Sequence, residues 1–143
     1  MPKGLTYDND FLKLTFNGTA IANIADNAAS SPLTNLYIAL HTADPTSSGN
    51  QTSSEATYTN YARVAVARTS GGWTVSSNSV SNTALIQFAQ CGVTGNTITY
   101  VSIGTDPSGT GKILYVGALT ASLAVSSGII PQFAIAALTA TET

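Results

Sequence analysis

The chain has 143 residues and little charge: five residues are Lys or Arg and seven are Asp or Glu, 8% of the sequence together. Ordinary soluble domains carry about 25% charged residues. The net charge of −2 gives DNA or RNA no cationic footing, and no apolar run approaches the roughly 20 residues that span a bilayer. We therefore expect no nucleic-acid partner, no membrane partner, and a surface that meets other protein.

Cysteine usage and the N-terminus indicate where the protein is made. Cys91 is the only cysteine, which excludes a disulfide framework and a multi-cysteine zinc site. Free cysteine is usually buried, so Cys91 is expected in the core. The first residues lack the features of a secretory signal, which predicts synthesis and assembly in a cytosol.

One helical segment is predicted, over residues 8–25, where apolar side chains recur at mixed three-to-four spacing. Asp8 and Asn9 are both suited to cap its start. Gly18 weakens the middle, because Gly costs roughly 1 kcal/mol relative to Ala inside a helix. Residues 26–32 then form a small polar connector that ends at a proline.

The rest of the chain predicts strands and turns. Apolar and polar residues alternate with period two in short runs separated by turn residues such as Gly71-Gly72 and Asp106-Pro107. These runs are 36–41, 63–67, 73–75, 84–88, 98–100, 101–103, 113–115, 123–125 and 133–135. The pattern predicts an all-β fold, a jelly-roll-like antiparallel β-sandwich with one N-terminal helical segment.

A single domain is predicted over residues 1–143. Residues 1–32 form its N-terminal helix or arm with the connector, and residues 33–143 form the β core. Within that core, residues 42–60 make the longest irregular stretch, rich in Ser, Thr, Gly and Asn. A loop of this length is typically functional or a contact arm.

The sequence offers little catalytic chemistry. His41, the only histidine, lies three residues before Asp44, but no Gly-x-Ser-x-Gly elbow accompanies it. The run from Gly104 to Lys112 is similar to a phosphate-binding loop, but Asp106 stands where a glycine is needed and a strand, not a helix, follows. We expect His41 to be structural and residues 104–112 to form a hairpin loop. No catalytic, cofactor-binding or metal-binding residue is assigned, and no cofactor is expected.

Two further groups of residues have chemistry that suits a site. The carboxylates are scattered through the predicted cap, connectors and tail, with no pair at glycosidase spacing; they are Asp8, Asp10, Asp26, Asp44, Glu55, Asp106 and Glu142. Five aromatic residues are possible stacking platforms for a sugar, although strand aromatics more often fill a core or an interface. They are Tyr58, Tyr61, Trp73, Tyr100 and Tyr115.

Four ordered segments carry a family resemblance. They are Asn9–Thr19, Leu36–Pro45, Tyr61–Val66 and Lys112–Leu119. Together they resemble a family of small structural proteins of tailed bacteriophages, variously described as tail-fibre-like, minor tail or capsid decoration (cement) proteins. The resemblance covers nearly the whole chain and implies a jelly-roll-like oligomer on a capsid or tail, assembled in the bacterial host cytoplasm.

The sequence and the resemblance together predict a non-enzymatic virion protein. The leading hypothesis is a capsid decoration protein that bridges major capsid protein subunits, as a homo-oligomer of three copies, with many modest contacts adding avidity. Residues 1–24 and 42–60 are the expected contact elements, while Arg63 and Arg68 either anchor that interface or flank a strand. The alternative is a tail-fibre or receptor-binding module that recognises host surface glycans.

Overall fold

The computed structural model describes residues 1, 3–21, 24–25 and 31–143. In this part of the chain it contains one helix, α1 (Leu5–Asn17), and nine strands. The strands are β1 (Asn35–His41), β2 (Val64–Ala67), β3 (Trp73–Ser76), β4 (Ser79–Asn82), β5 (Ile86–Gln87), β6 (Asn96–Gly104), β7 (Ile113–Val125), β8 (Gln132–Phe133) and β9 (Thr139–Thr141). This architecture confirms the predicted all-β class with one N-terminal helical segment.

The chain divides into two compact units, each built from several segments. One unit contains Met1–Asn35, Ala67–Ile86 and Phe133–Thr143, and the other contains Leu36–Val66 and Gln87–Gln132. A two-stranded sheet pairs β5 with β8. The single domain over residues 1–143 stays a prediction.

In the first unit α1 packs on a three-stranded sheet with the order β3-β4-β9. Both sheet pairings are antiparallel. Leu12 and Phe16, one turn apart on the same side of the helix, are fully buried, and the Phe16 ring meets Trp73 edge to face with ring centroids 4.8 Å apart. Leu12, Phe16 and Trp73, together with the buried Val80, belong to the core of the unit.

The helix differs from the prediction at both ends. It begins after Gly4, whose backbone is extended and which makes no side-chain cap, so neither Asp8 nor Asn9 caps it. It ends at Asn17 because Gly18 adopts a left-handed conformation with φ of 66°, a common helix stop. Ile24 is therefore outside the helix and 71% exposed. Residues 26–30 of the predicted connector, including Asp26, lie outside the described residues.

The second unit is built on a four-stranded sheet with the order β2-β1-β6-β7. β1 pairs with β6 and β6 pairs with β7, both antiparallel. The two middle strands are buried on both faces: Ile38, Leu40, Val101 and Ile103 form one face, and Ala39, His41 and Ser102 lie on the other. β7 is different, because most of its residues are exposed.

The strand predictions were accurate in the middle strands and incomplete elsewhere. Residues 98–100 and 101–103 join into the one strand β6, and 113–115 and 123–125 join into β7. β4 and β9 were not predicted, because Ser79–Asn82 and Thr139–Thr141 are short and mostly polar. The expected burial of Cys91 is confirmed, since its residue is 3% exposed.

Candidate assembly surface

Arg63 forms an ion pair inside its own unit. It lies just before β2, and its side chain is 2% exposed. The guanidinium donates two hydrogen bonds to the carboxylate of Glu55, at 2.7 and 2.8 Å, and two more to the carbonyl oxygens of Asp106 and Gly109. The Tyr61 hydroxyl donates to the same carboxylate. Of the two roles left open for Arg63, these contacts favour the one beside a strand.

Arg68 is also used inside its own unit. Its guanidinium donates to the carbonyl oxygens of Leu14 and Thr15, in the last turn of α1, and to that of Leu33. A cation at this end complements the helix dipole and satisfies carbonyls that the helix leaves free. Arg68 thus supports the C-terminal end of α1 within its own unit.

The described residues of the segment 1–24 make several contacts within their own unit, and the role of this segment as a contact element stays a prediction. Leu12 and Phe16 face the sheet of their own unit. Near the start of the chain, Lys3 pairs with Glu142 at 2.5 Å and with Asp8 at 3.7 Å. The apolar side of the helix is thus covered within its own unit, although Leu5 is 59% exposed.

The 42–60 loop is fixed by buried polar contacts. The Gln51 side chain is fully buried, and its oxygen accepts a hydrogen bond from the Asp106 backbone N–H at 3.0 Å. The Gln51 backbone N–H donates to the carbonyl of Gly111. The backbones of Glu55 and His41 form an isolated antiparallel β-bridge. The loop is irregular, as predicted, and these contacts hold it within its own unit; its role as a contact element stays a prediction.

His41 is a buried structural residue. The side chain is fully buried; Nδ1–H donates to the Ser53 carbonyl at 2.9 Å, and Nε2 accepts from the Ser102 hydroxyl at 2.8 Å. A neutral imidazole offers one donor and one acceptor, so both nitrogens are committed. Burial is the main cause that lowers the pKa of His41 below 6.5, which keeps the ring neutral. These contacts support the structural role that the sequence indicated.

The phosphate-loop-like run and the aromatic residues considered in the sequence do not form a common binding site among the described residues. Residues 105–112 connect β6 to β7, which confirms the hairpin loop. Tyr58 and Trp73 are buried, so neither can stack on a sugar. Among the described residues no group of three or more His, Cys, Asp or Glu side chains is placed to hold a metal, and no helix is long and apolar enough to cross a membrane.

The outer strand β7 is the most distinctive exposed feature of the second unit. It lies at the end of the four-stranded sheet, with β6 as its one strand neighbour in the described part of the chain. Its 13 residues contain no charge and no proline. Val116 and Leu123 are 38% and 37% exposed, and Gly117 and Ala118 are also exposed. Sheet edges of natural proteins usually carry charge or proline that discourages pairing.

The pairing of β7 with β6 is interrupted at two places. Near the start of β7, Leu114 lies between Ile113, which pairs with Gly104, and Tyr115, which pairs with Ile103. Tyr100 pairs with Ala118 and Ile98 pairs with Leu123, so the four residues 119–122 lie opposite Thr99 alone. A bulge of this kind disrupts the ladder and bends the strand. The longest regular run of pairs in β7 is therefore Tyr115–Ala118.

More exposed apolar residues follow β7 and lie beside its C-terminal end. Ile129 and Ile130 are 38% and 42% exposed, and Val93 is 89% exposed. The backbone of Cys91 exchanges hydrogen bonds with the segment 128–129, with N–H to Ile129 and C=O from Gly128, which brings the 91–94 turn next to that segment. We call β7 together with Val93, Ile129 and Ile130 the assembly surface.

The sequence prediction missed this surface, although it carries a readable signal. No charged residue occurs between Lys112 and Glu142, and charge is depleted at the cores of protein interfaces. What the sequence does not give is the strand order, which decides that β7 is at the edge of its sheet.

The comparisons with known proteins agree with a virion role. A family model described as "Podophage GP4 fiber I protein gp80" matches residues 7–141, nearly the whole chain. None of the curated proteins compared with the chain matches it. The match confirms the resemblance to phage structural proteins and indicates a place in the virion. The chain belongs to the podophage GP4 fiber I protein gp80 family, a family of phage virion structural proteins.

Proposed function

We propose that this protein is a structural subunit of a virion fibre, and that it acts by assembling with other protein rather than by catalysis. The observation that carries the proposal is the match to a fibre protein family over residues 7–141. The matched range contains all nine strands and the whole of α1 except its first two residues.

The distribution of charge supports an assembly role. Three of the five basic residues, Lys3, Arg63 and Arg68, make their contacts within the chain. The assembly surface carries no charge. A partner that binds there therefore desolvates no charged group of this chain. Desolvating a charge without an ion-pair partner is costly, so an uncharged surface suits broad contact with protein.

The internal chemistry supports a non-enzymatic role. The imidazole of His41 is buried with both nitrogens hydrogen-bonded, and Glu55 is paired with Arg63. A general acid or base must reach the proton that it transfers, which these two groups are not placed to do. Of the five aromatic residues considered as stacking platforms, Tyr58 and Trp73 are core residues. The other three, Tyr61, Tyr100 and Tyr115, are half-buried, and the fibre role proposed here does not depend on glycan recognition.

Capsid decoration is the second candidate. A small β protein with an uncharged surface would also suit a cement role between major capsid protein subunits, as the sequence suggested. The family's description as a fibre protein favours the fibre.

A phage that lacks this gene product separates the two roles. For a fibre subunit we expect particles that lose a fibre in electron micrographs while the capsid keeps its thermal and osmotic stability. A particle with all its fibres and a capsid that opens at lower temperature would contradict the fibre role and favour decoration. Supplying the wild-type protein in trans is the matched control and should restore the fibre.

A further inference from the structure

We propose that Asn17 is a deamidation site, and that the contacts of Arg68 with the last turn of α1 control the rate of the reaction. The products are aspartate and isoaspartate at position 17. The inference goes beyond the proposed function, because it concerns a covalent change of the finished chain and not its place in the virion.

The residue that follows Asn17 makes it reactive. Asn17 precedes Gly18, and this is the one Asn-Gly pair in the sequence. Asparagine deamidates when the backbone nitrogen of the next residue attacks its side-chain carbonyl carbon. Glycine has no β-carbon to hinder this attack, and its backbone reaches conformations that other residues rarely adopt. Asn17 is therefore the asparagine whose neighbour favours the reaction most.

The reaction needs water as its only co-reactant. The Gly18 nitrogen gives up its proton to water or a buffer base and forms a bond to Cγ of Asn17. The side-chain nitrogen Nδ2 takes up a proton and leaves as ammonia, which closes a succinimide ring. Water then opens the ring at either of its two carbonyl carbons. One opening gives aspartate, and the other gives isoaspartate, whose backbone runs through the former side chain.

The carboxamide oxygen of Asn17 is not held by a hydrogen bond. Oδ1 is buried, and no group in the described part of the chain donates to it. Buried polar atoms normally have a partner, and a buried acceptor without one costs free energy. The carboxamide therefore loses no hydrogen bond at its oxygen when it turns toward the Gly18 nitrogen.

Other asparagines in the described part of the chain are held more firmly. The buried Asn82 uses both Nδ2 and Oδ1 in hydrogen bonds. Asn78 and Asn96 also use their carboxamides, as a donor and an acceptor respectively. Each of these three residues is followed by Ser or Thr and not by Gly. Both the neighbouring residue and the side-chain contacts thus single out Asn17.

The closed last turn of α1 slows the reaction. Gly18 is left-handed and its backbone N–H donates to the carbonyl of Lys13, to which the Thr19 N–H also donates at 3.1 Å. A nitrogen engaged in this way is not free to attack the carboxamide. The reaction therefore proceeds when the last turn opens, and helix ends are among the places where a folded chain opens most readily.

Arg68 determines how often this turn opens. Its guanidinium donates to the carbonyls of Leu14 and Thr15, and these hydrogen bonds stabilise the closed turn. Their loss raises the population of the open turn. The rate of deamidation rises with that population, because the reaction takes place in the open form.

The test follows deamidation of the purified full chain during incubation at neutral pH. Peptide mapping with fragmentation that distinguishes aspartate from isoaspartate identifies each site that reacts. Arg68→Met is compared with Lys112→Met, the matched control that removes an exposed cation from the other unit. Asn17→Gln lengthens the side chain by one methylene and should form no isoaspartate at position 17. Circular dichroism establishes that each variant is folded.

We expect Asn17 to be the first asparagine of the folded wild-type chain to react, and to react more slowly there than in denaturant. Arg68→Met should raise the rate at position 17 by at least about fivefold, and Lys112→Met should leave it close to wild type. Equal rates in Arg68→Met and the wild type overturn the control by Arg68.

The wild-type chain alone tests the site without any variant. Reaction at another asparagine before Asn17 overturns the proposal. An Asn17 that stays intact in the folded chain, over a time in which the denatured chain reacts completely, also overturns it. A folded chain that reacts as fast as the denatured one overturns the protection by the last turn of α1.

Discussion

The side chain of Gln51 occupies the space that a β-carbon on Gly111 would need. The same carboxamide also fills the space beside Gly104, and its oxygen accepts from the Asp106 backbone. Two glycines at the ends of the β6–β7 connection thus let the 42–60 loop insert a polar side chain there. This contact orders a loop whose composition alone predicts little order.

Gly111→Ala is expected to lower the free energy of unfolding by about 1–3 kcal/mol, because overpacking a filled site displaces side chains or backbone. Chemical denaturation measures it. Gly71→Ala is the control, since its β-carbon would meet Thr69 Oγ1 at an ordinary 3.5 Å, and its effect should stay within about 0.5 kcal/mol. Equal effects of the two substitutions would show that Gln51 does not limit the space at Gly111.

Arg63→Met is expected to destabilise the protein by about 3–5 kcal/mol, because removing one partner of a buried ion pair leaves the other without its counter-charge. The carboxylate of Glu55 would keep the Tyr61 hydroxyl as a donor but lose both guanidinium bonds. Denaturant unfolding compares it with Lys112→Met, which removes an exposed cation. If the two variants unfold at the same denaturant concentration, the ion pair has no structural importance.

The stability should fall as the pH drops below 6.5 because of His41. Burial lowers the pKa of His41 in the folded chain, whereas the unfolded chain binds a proton near 6.5. Between the folded pKa and 6.5, unfolding therefore takes up a proton, and the free energy of unfolding decreases as the pH falls. Above 6.5 both states are neutral, so His41 adds no pH dependence there.

Unfolding by urea at a series of pH values on both sides of 6.5 measures this effect. The His41→Gln side chain cannot titrate, so the stability of this variant should depend less on pH just below 6.5. Its overall stability should be lower, because the substitution disturbs the buried hydrogen bonds of His41. The same pH dependence in both proteins would mean that other groups cause it.

Arg68→Met is expected to loosen the C-terminal turn of α1. The guanidinium donates to the carbonyls of Leu14 and Thr15, and hydrogen bonds to charged groups contribute about 1.5–3 kcal/mol each. Amides in α1 should exchange faster in this variant, while those in β6 should keep their protection. Lys13→Met, which removes a cation of α1 itself, is the control and should change the exchange much less. Similar exchange in both variants would contradict the capping role of Arg68.

Local sequence patterns predict the fold best where large apolar residues alternate regularly with other residues. Leu36, Ile38 and Leu40 alternate cleanly, and β1 was found at its observed position. β4 was missed because its one strongly apolar residue, Val80, gives no alternation, and tertiary pairing decides the strand. The sequence pattern predicts Gly18 as a weak point inside the helix, whereas the left-handed conformation of Gly18 ends the helix.

The assembly surface and the charged contacts depend on information that is not local. The Arg63 partners lie at Glu55 and in the 106–109 turn, and no sequence spacing predicts that they meet. Two apolar runs of β7 were visible as separate strands, but the bulge that joins them and the edge position follow from the pairing with β6.

The most direct test of the virion-fibre account is to locate the protein on intact particles. A short peptide tag at the C-terminus, labelled with an antibody fragment and imaged by cryo-electron microscopy, shows the position of each copy. The account predicts label along a fibre that projects from the virion. Label distributed over the capsid lattice, or purified particles without label, would contradict it.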